Sequence, residues 1–589
     1  MSQDIEEKNN GGVSAEVIAV YPDKVKISVD DLEDFQIAEE KLRVGSYLRI
    51  ADNDNAILIA IIENFMIEVP ALPSSGVVSK KYIIEAQPLG MLKGDCFERG
   101  GDTLTIPPKD VAPATEEEIK SIFEHSIDEQ KQFSFSVLSN DHNITVPVDG
   151  NKFFSKHIAI VGSTGSGKSH TVAKIIQTAV NEKESNYTGL NNSHIIIFDI
   201  HSEYKSAFPD ANVIDISNLV LPYWMLNSDE LMELFIDTEA NDHRQRNVLK
   251  EAIVANRKMH FQGENDDKQK IHFDSPLFFD INEILMYISN RNNEKKDTDN
   301  EIPYTNSKGE NKKFDINDVK DLFLENVKYT GSSATGTNNG GLINFIDRLE
   351  NKISDKRLEF LFGDESKCIT FEKTLGRLIS YTDNKDNVTI LDLSGVPFDI
   401  LSITVSLISR LLFEYGYYYK KIRSEEIDAD KMLNNDVPLL LVYEEAHKYV
   451  PKSDLAKYRA SRESIERIAK EGRKYGISLM LASQRPSEIS ETIFSQCNNF
   501  LALRLTNPND QNYVKKLLPD TMGNMIDKMP SLKVGEGLLI GDAVVIPSIV
   551  QVDSCELAPS SNDIPYFEVW KEPWKELNLQ KIKDEWCKK

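Results

Sequence analysis

Cysteine is scarce in this chain of 589 residues: Cys96, Cys368, Cys497, Cys555 and Cys587 are scattered, and no two form a C-x-x-C pair. That spacing excludes a zinc ribbon and a disulfide framework and suits a reducing cytoplasm. No apolar run approaches the roughly 20 residues that a membrane span needs. The first dozen residues, Met1 to Gly12, are polar and acidic with two glycines. They match neither a signal nor a transit peptide and are expected to be a disordered lead. Positive charge is also in deficit, with 68 Lys and Arg against 94 Asp and Glu, a net charge of −26. A protein that grips DNA over a broad outer face carries the opposite balance, because phosphate neutralisation supplies the affinity. The acidity leaves either no nucleic-acid binding or a restricted basic surface such as the lining of a ring. It also suits a soluble exterior and a protein partner.

What is present is a globular composition, 40% hydrophobic and 28% charged, on a chain too long for one core; about three or four domain-sized pieces are expected. The organising stretch is His157-Ile-Ala-Ile-Val-Gly162-Ser163-Thr164-Gly165-Ser166-Gly167-Lys168-Ser169. Ile158 to Val161 reads as a buried strand, and the next eight residues fit G-x-x-x-x-G-K-[ST] at every fixed position. From His170 to Val180 the chain runs without Gly or Pro, with apolar residues at helical spacing. Strand, glycine-rich loop and helix together predict a phosphate-binding loop for ATP that extends to His170. Backbone N–H groups and the helix N-terminus face the triphosphate, Lys168 reaches the β- and γ-phosphates, and Ser169 ligates Mg2+.

Residues 14–20, 24–29, 45–50, 56–65 and 82–92 alternate or run apolar over strand lengths, with Asp52-Asn-Asp-Asn55 as a tight turn. They predict a small β-barrel over 13–115, left by a helix near Thr115 to Ser126. Its plainest role is an assembly or docking module. Ser193 to Phe198 reads as a second buried strand, ending in Asp199-Ile-His201-Ser-Glu203-Tyr204, where α/β proteins place ligands. Asp199 and Glu203 fit either a site or a capped loop.

From Leu226 to Tyr381 helix-like segments predominate, for example Glu230–Asp237, Arg246–Lys258 and Ile343–Glu350. The polar stretches Asn290–Lys313 and Thr330–Gly341 are expected to be mobile loops. Arg244 and Arg246 read as solvated helix charges. Strands then resume at Val388. Pro438-Leu-Leu-Leu-Val442 leads into Tyr443-Glu444-Glu445-Ala446-His447, the Walker B arrangement of an apolar strand ending in two acids. It sends Glu444 towards the Mg2+ shell and Glu445 towards the water that attacks the γ-phosphate. Glutamate stands at 444 where aspartate is commoner, which Mg2+ tolerates through a water. Arg462, Arg467, Lys470, Arg473 and Lys474 follow on a helix face. Ile477 to Ala482 is another buried strand, with Gln484 beyond its tip placed to sense the γ-phosphate. Residues 535–541 and 547–552 read as a closing hairpin, and seven or eight strands are expected, mostly parallel.

Five motifs in order carry a family resemblance: Gly162 to Ser169, Asp199 to Tyr204, Glu444-Glu-Ala-His447, Glu471-Gly-Arg-Lys-Tyr-Gly476 and Ser483-Gln-Arg-Pro486. With them go a Pro-Pro-containing barrel tail and a late Gly-Glu turn. The chain resembles the HerA family of ATPases, in the HerA/FtsK branch of RecA-like motors, from the barrel (similar to the family's HAS-barrel) to residue 552. The resemblance implies a RecA-like α/β core with a mostly parallel sheet, divided as lead 1–12, barrel 13–115, core 116–225, helical insertion 226–381, core 382–555 and tail 556–589. It implies a homo-hexamer that couples ATP hydrolysis to moving double-stranded DNA through its pore. The implied partner is an effector protein, a nuclease in DNA end processing or a nuclease or Sir2-like protein in phage defence. Arg473 is then the arginine reaching a γ-phosphate, from the adjacent subunit. Two positions depart from the family pattern. Ser202 replaces a glycine in Asp-x-His-Gly-Glu-Tyr, and Lys156 stands where relatives carry a basic finger, without the fork of an arginine. A competing reading is a nucleotide-dependent scaffold for an effector with DNA incidental. A nucleotide kinase finds no use for the barrel or the insertion.

Overall fold

The computed structural model describes residues 15–21, 24–29, 42–51, 56–68, 81–94, 96–100, 110–236, 243–316, 318–331, 334–382, 385–426, 435–452, 459–517, 523–561 and 564–587. The expected lead at 1–12 and the turn at 52–55 lie outside the described residues. The chain divides into two compact units. One comprises Met1–Tyr187, Met480–Ser487 and Phe494–Ala558; the other comprises Thr188–Leu479, Glu488–Ile493 and Pro559–Lys589.

The first unit opens with the barrel sheet. Its antiparallel order is Ala15–Val20, Val25–Val29, Lys81–Lys93, Ala56–Glu68, Tyr47–Ala51, Asp110–Pro113, with Cys96–Arg99 added on Lys81–Lys93. Two register shifts in the long central pair, at Ile59/Ala60 and Ile62/Asn64, bend it, as bulges do where a sheet must curl. Val25, Ile27, Leu48, Ile50, Leu58, Ile62 and Ile84 fill the inside. The exit helix Glu116–His125 starts on a reciprocal capping box between Thr115 and Glu118. The barrel is tied to the rest of its unit by Tyr47, whose hydroxyl lies 3.3 Å from that of Ser548, and by Lys528, which donates to the Val44 carbonyl.

Also in this unit, the P-loop strand Ile158–Val161 lies between Ile477–Ser483 and Asn499–Leu503, parallel to both. The sheet continues antiparallel through Glu536–Gly541, Ser548–Val552, Gln132–Leu138 and Thr145–Asp149. The first two of these are the expected hairpin. The last two are additional strands, held by an aromatic cluster of Phe133, Phe135, Phe153 and Phe154.

The second unit holds four parallel strands in the order Asn212–Ile214, Val388–Asp392, His194–Asp199, Leu439–Tyr443. The three longer ones are apolar on both faces, as a sheet covered on both sides requires. Between Asn212–Ile214 and Val388–Asp392 lie the insertion helices, among them Ser228–Phe235, His243–His260, Ile281–Asn292 and Ile343–Ser354. The polar stretches expected as mobile loops are partly laddered. Lys295–Lys296 pairs with Ala334–Thr335, and Pro303–Thr305 pairs with both Asn311–Lys313 and Lys328–Tyr329. A buried Tyr304 and the edge contact of its ring with Tyr329 hold the second ladder. The long helix Phe398–Glu426 follows, and Arg410 from it closes on buried Glu230. Arg459–Glu471 bears the charged face read from sequence. Arg462 and Lys470 pair with Glu466, and Arg467 pairs with Glu414. At the end, Tyr566–Val569 and Leu579–Cys587 are short helices with Trp570, Trp574 and Trp586 exposed by 74%, 98% and 79%.

Candidate nucleotide site

The P-loop strand is wholly buried, and its backbone passes into the loop through two hydrogen bonds to neighbouring strands. The N–H of Gly162 donates to Ser483 O at 3.2 Å, and that of Ser163 donates to Arg504 O at 2.8 Å. Glycine is required at 162, because a Cβ there would lie 2.4 Å from Ser166 Oγ and 2.9 Å from Leu503 Cβ. At 167 the requirement is conformational: φ is +95°, and this residue caps the helix Lys168–Asn181. The loop therefore ends with backbone N–H groups at a helix start, where the helix dipole favours an anion. Lys168 and Ser169 are buried at the first turn, and His170 is half-buried. The Ser166 carbonyl accepts from the Gly535 N–H at 3.0 Å, so the turn before Glu536–Gly541 crosses the loop. The Ser166 hydroxyl is buried and has no hydrogen-bond partner among the described residues. The glycine-dependent backbone and the helix start fit a phosphate chain.

Two side chains reach the crown of this loop. Gln484 accepts a hydrogen bond from the Thr164 hydroxyl at 2.6 Å, so the residue read as a sensor touches the P-loop. Arg504 donates from Nη2 to the Gly165 carbonyl at 3.4 Å. Arg504 lies at the end of the apolar run Phe500-Leu-Ala-Leu-Arg504-Leu505, which reads from sequence simply as a further strand, although a lone arginine at the end of such a run was a signal. Lys156, in the same unit, is ion-paired with Asp542 at 2.8 Å.

The Walker B strand Leu439–Tyr443 belongs to the second unit and pairs in parallel register with His194–Asp199, Phe198 opposite Tyr443. Their rings stack with centroids 4.5 Å apart. Glu444 and Glu445 follow, both buried. The N–H of Glu444 extends the ladder to Phe198 O at 3.2 Å, and its Oε2 accepts from the Tyr204 hydroxyl at 2.9 Å. Tyr449 donates its hydroxyl to the Glu444 carbonyl. Burial first, and then the Glu444 carboxylate, hold the Tyr204 phenol well above its ordinary pKa, so it stays a donor. Glu445 has φ 49° and ψ 46°, a left-handed conformation uncommon for a residue with a side chain. Its Oε2 lies 3.1 Å from His447 Nδ1. Strained backbone of this kind is retained where neighbouring structure fixes it, and it gathers at functional sites.

The loop after Phe198 braces this pair. Asp199 accepts backbone N–H bonds from His201 at 3.1 Å and Tyr204 at 3.0 Å, which orients Tyr204 towards Glu444. Burial raises the Asp199 carboxyl to about 6 against those two bonds, and Asp392 and Glu444 add to the rise. Ser202 has φ 58°, so the backbone keeps the conformation a glycine would take, and the serine hydroxyl donates to Asp392 Oδ2 at 2.7 Å. The Glu203 carbonyl accepts from the Ser560 N–H at 2.9 Å. Arg473 is exposed on the short turn Gly472–Tyr475 that follows Arg459–Glu471.

The Ser169 hydroxyl at the helix start is a donor of the kind that Mg2+ takes. That ion keeps several waters and takes few protein ligands. Bound with nucleotide, it would neutralise charge on the phosphates.

Comparison with known proteins gives concordant results. The family model of the helicase HerA central domain matches residues 135–412. The DNA double-strand break repair helicase HerA of Sulfolobus acidocaldarius is 26% identical over 576 residues, covering 93% of this chain and 96% of that protein. Its counterpart in Saccharolobus solfataricus is 26% identical over 479 residues, covering 79% of this chain and 77% of that protein. Among solved structures, VirB4 of Thermoanaerobacter pseudethanolicus aligns with a TM-score of 0.43 at 14% identity, over 75% of this chain and 99% of that one. Over nearly its full length the chain is thus similar to a HerA helicase, its central part matches that helicase's central domain, and it carries the phosphate loop and the paired acids of a P-loop ATPase.

Proposed function

We propose that the chain is a ring-forming ATPase that hydrolyses ATP to translocate double-stranded DNA, working with a nuclease or other effector in DNA end processing or phage defence. The observation that carries the reading is Glu445, a buried carboxylate held in left-handed backbone at the end of an apolar strand. The name of its relatives, DNA double-strand break repair helicase, supports DNA as the track. Lys168 and the backbone of Gly162 to His170 bind the phosphates, and Ser169 and Glu444 serve Mg2+. Glu445 orients the attacking water, and Gln484 senses the terminal phosphate. Arg473, exposed and on a separate turn, is supplied to the neighbouring subunit in a homo-hexamer. Such an arginine is worth about 10³–10⁵ in rate.

The test is ATP turnover with and without double-stranded DNA. Stimulation is expected in the parent, with loss on Lys168→Ala and on Glu445→Gln. Turnover that DNA neither stimulates nor accompanies with binding at low salt would sink the motor. The net charge of −26 favours one second reading, a nucleotide-dependent scaffold for an effector. Effector activity that survives Lys168→Ala in the co-purified complex would select it.

A further inference from the structure

Two strands flank the P-loop strand, Ile477–Ser483 on one side and Asn499–Leu503 on the other. The residue just beyond each reaches the crown of the phosphate loop. Past the first, Gln484 takes the Thr164 hydroxyl at 2.6 Å. Past the second, Arg504 donates to the Gly165 carbonyl at 3.4 Å. The backbone around Arg504 is fixed by the same loop. Its carbonyl accepts from the Ser163 N–H at 2.8 Å. Two residues on, the Thr506 N–H donates to Ser163 Oγ at 3.1 Å, and the two hydroxyls lie 3.2 Å apart. Ser163, Thr164 and Gly165, three consecutive residues of the crown, are thus held from both sides by strand ends.

Bracing accounts for the serine–threonine contacts but gives little reason for an arginine. The Gly165 carbonyl is a neutral acceptor at long range, and any amide side chain could supply its donor. Among the described residues the guanidinium makes this one hydrogen bond and no ion pair, in a chain with 94 acidic residues. Four of its five N–H donors are unused, in a planar fork that matches phosphate oxygens in pairs. Its anchor, Gly165, has φ +71° and open space where a Cβ would stand, so the crown is accessible beside the guanidinium. Lys168 supplies one cation to the loop from the helix start; Arg504 supplies a second from the end of a flanking strand.

We propose that Arg504 is a ligand of the terminal phosphate of the nucleotide, provided by the same chain as Lys168, and that it makes the site prefer a nucleoside triphosphate to a diphosphate. The inference rests on reading Gly162 to Ser169 as a nucleotide site. On triphosphate binding the guanidinium leaves the Gly165 carbonyl or shares it, and its remaining donors meet phosphate oxygens.

Calorimetric titration with ADP and with a non-hydrolysable ATP analogue tests it on Arg504→Gln and Arg504→Lys. Glutamine keeps an N–H donor for the Gly165 carbonyl and removes the charge, which separates bracing from phosphate binding. The expected result for Arg504→Gln is an affinity for the triphosphate analogue weaker by about tenfold or more, with ADP changed by less than about twofold. Arg504→Lys, with charge but no fork, falls between. Equal losses for both nucleotides would make Arg504 a brace of the loop and overturn the proposal, as would unchanged binding of both. Failure of the underlying reading looks different: the parent itself binds neither nucleotide, or Lys168→Ala leaves both affinities intact.

Discussion

Ser202 sits at φ 58° with its hydroxyl on Asp392, so two opposed effects meet in one side chain. Left-handed backbone costs a non-glycine residue about 1–2 kcal/mol, and the hydrogen bond returns about 1 kcal/mol. Ser202→Gly should therefore melt within a few degrees of the parent. Ser202→Val, β-branched and without the bond, should lose about 2–3 kcal/mol and melt clearly lower. Equal melting of the two variants would show that nothing requires the left-handed turn. Three residues earlier, Asp199 has a carboxyl raised by burial to about 6 in the folded protein, from an ordinary 3.8. The folded state then holds the proton that the unfolded state releases between about pH 4 and 6, so stability from this group falls as pH rises through that window. Across it, the parent should lose up to about 3 kcal/mol relative to Asp199→Asn. Denaturation midpoints of both proteins from pH 4.5 to 7.5 check this, and parallel curves would refute it. The motif Asp199 to Tyr204 stands out in sequence, but its task does not. Tyr204 reaches Glu444, 240 positions further on, only because Phe198 and Tyr443 share a register, and no local pattern carries that.

At the scale of elements, short apolar runs were the legible signal: the strands at 158, 194, 388, 439, 477 and 499 each announce themselves, because a strand covered on both faces has no polar side to hide. The strand Gln132–Leu138 was equally readable from its Phe–Ser alternation, yet it needs the closing hairpin as partner before it has a sheet to join. Composition misled in the insertion. Asn, Lys and Glu suggested loops throughout 290–313, whereas a few aromatic and ionic anchors, Tyr304 and the Arg291–Glu294 pair among them, are enough to order short ladders. A second buried pair makes a sharper test. Glu230 is fully buried and accepts from Arg410 Nη2 at 2.7 Å and Ser406 Oγ at 2.7 Å, which joins Ser228–Phe235 to Phe398–Glu426. Arg410→Met alone should cost about 3–5 kcal/mol by leaving a buried carboxylate unpaired, and adding Glu230→Met should recover much of that loss. Additive losses in urea denaturation would mean that the two residues do not act as a pair.

For the whole molecule, the balance of charge sets how DNA is held. If the track is gripped by a restricted basic surface on an otherwise acidic protein, few phosphates are neutralised at once. Raising salt from 50 to 200 mM should then cost less than the roughly 10³–10⁵ in affinity seen for proteins with six to ten phosphate contacts. A steeper fall, measured by equilibrium binding of a short duplex, would require a broad basic face that the composition denies. The tail has a different consequence, for light rather than charge. The chain has four tryptophans, and Trp570, Trp574 and Trp586 stand almost fully in water along the terminal segment, leaving Trp224 alone, just ahead of the insertion. The intrinsic fluorescence of this protein is therefore a spectrum of its last two dozen residues. Emission should be red and readily quenched in the isolated chain and only weakly sensitive to melting of the nucleotide core. It becomes a built-in dye for whatever comes to cover that segment.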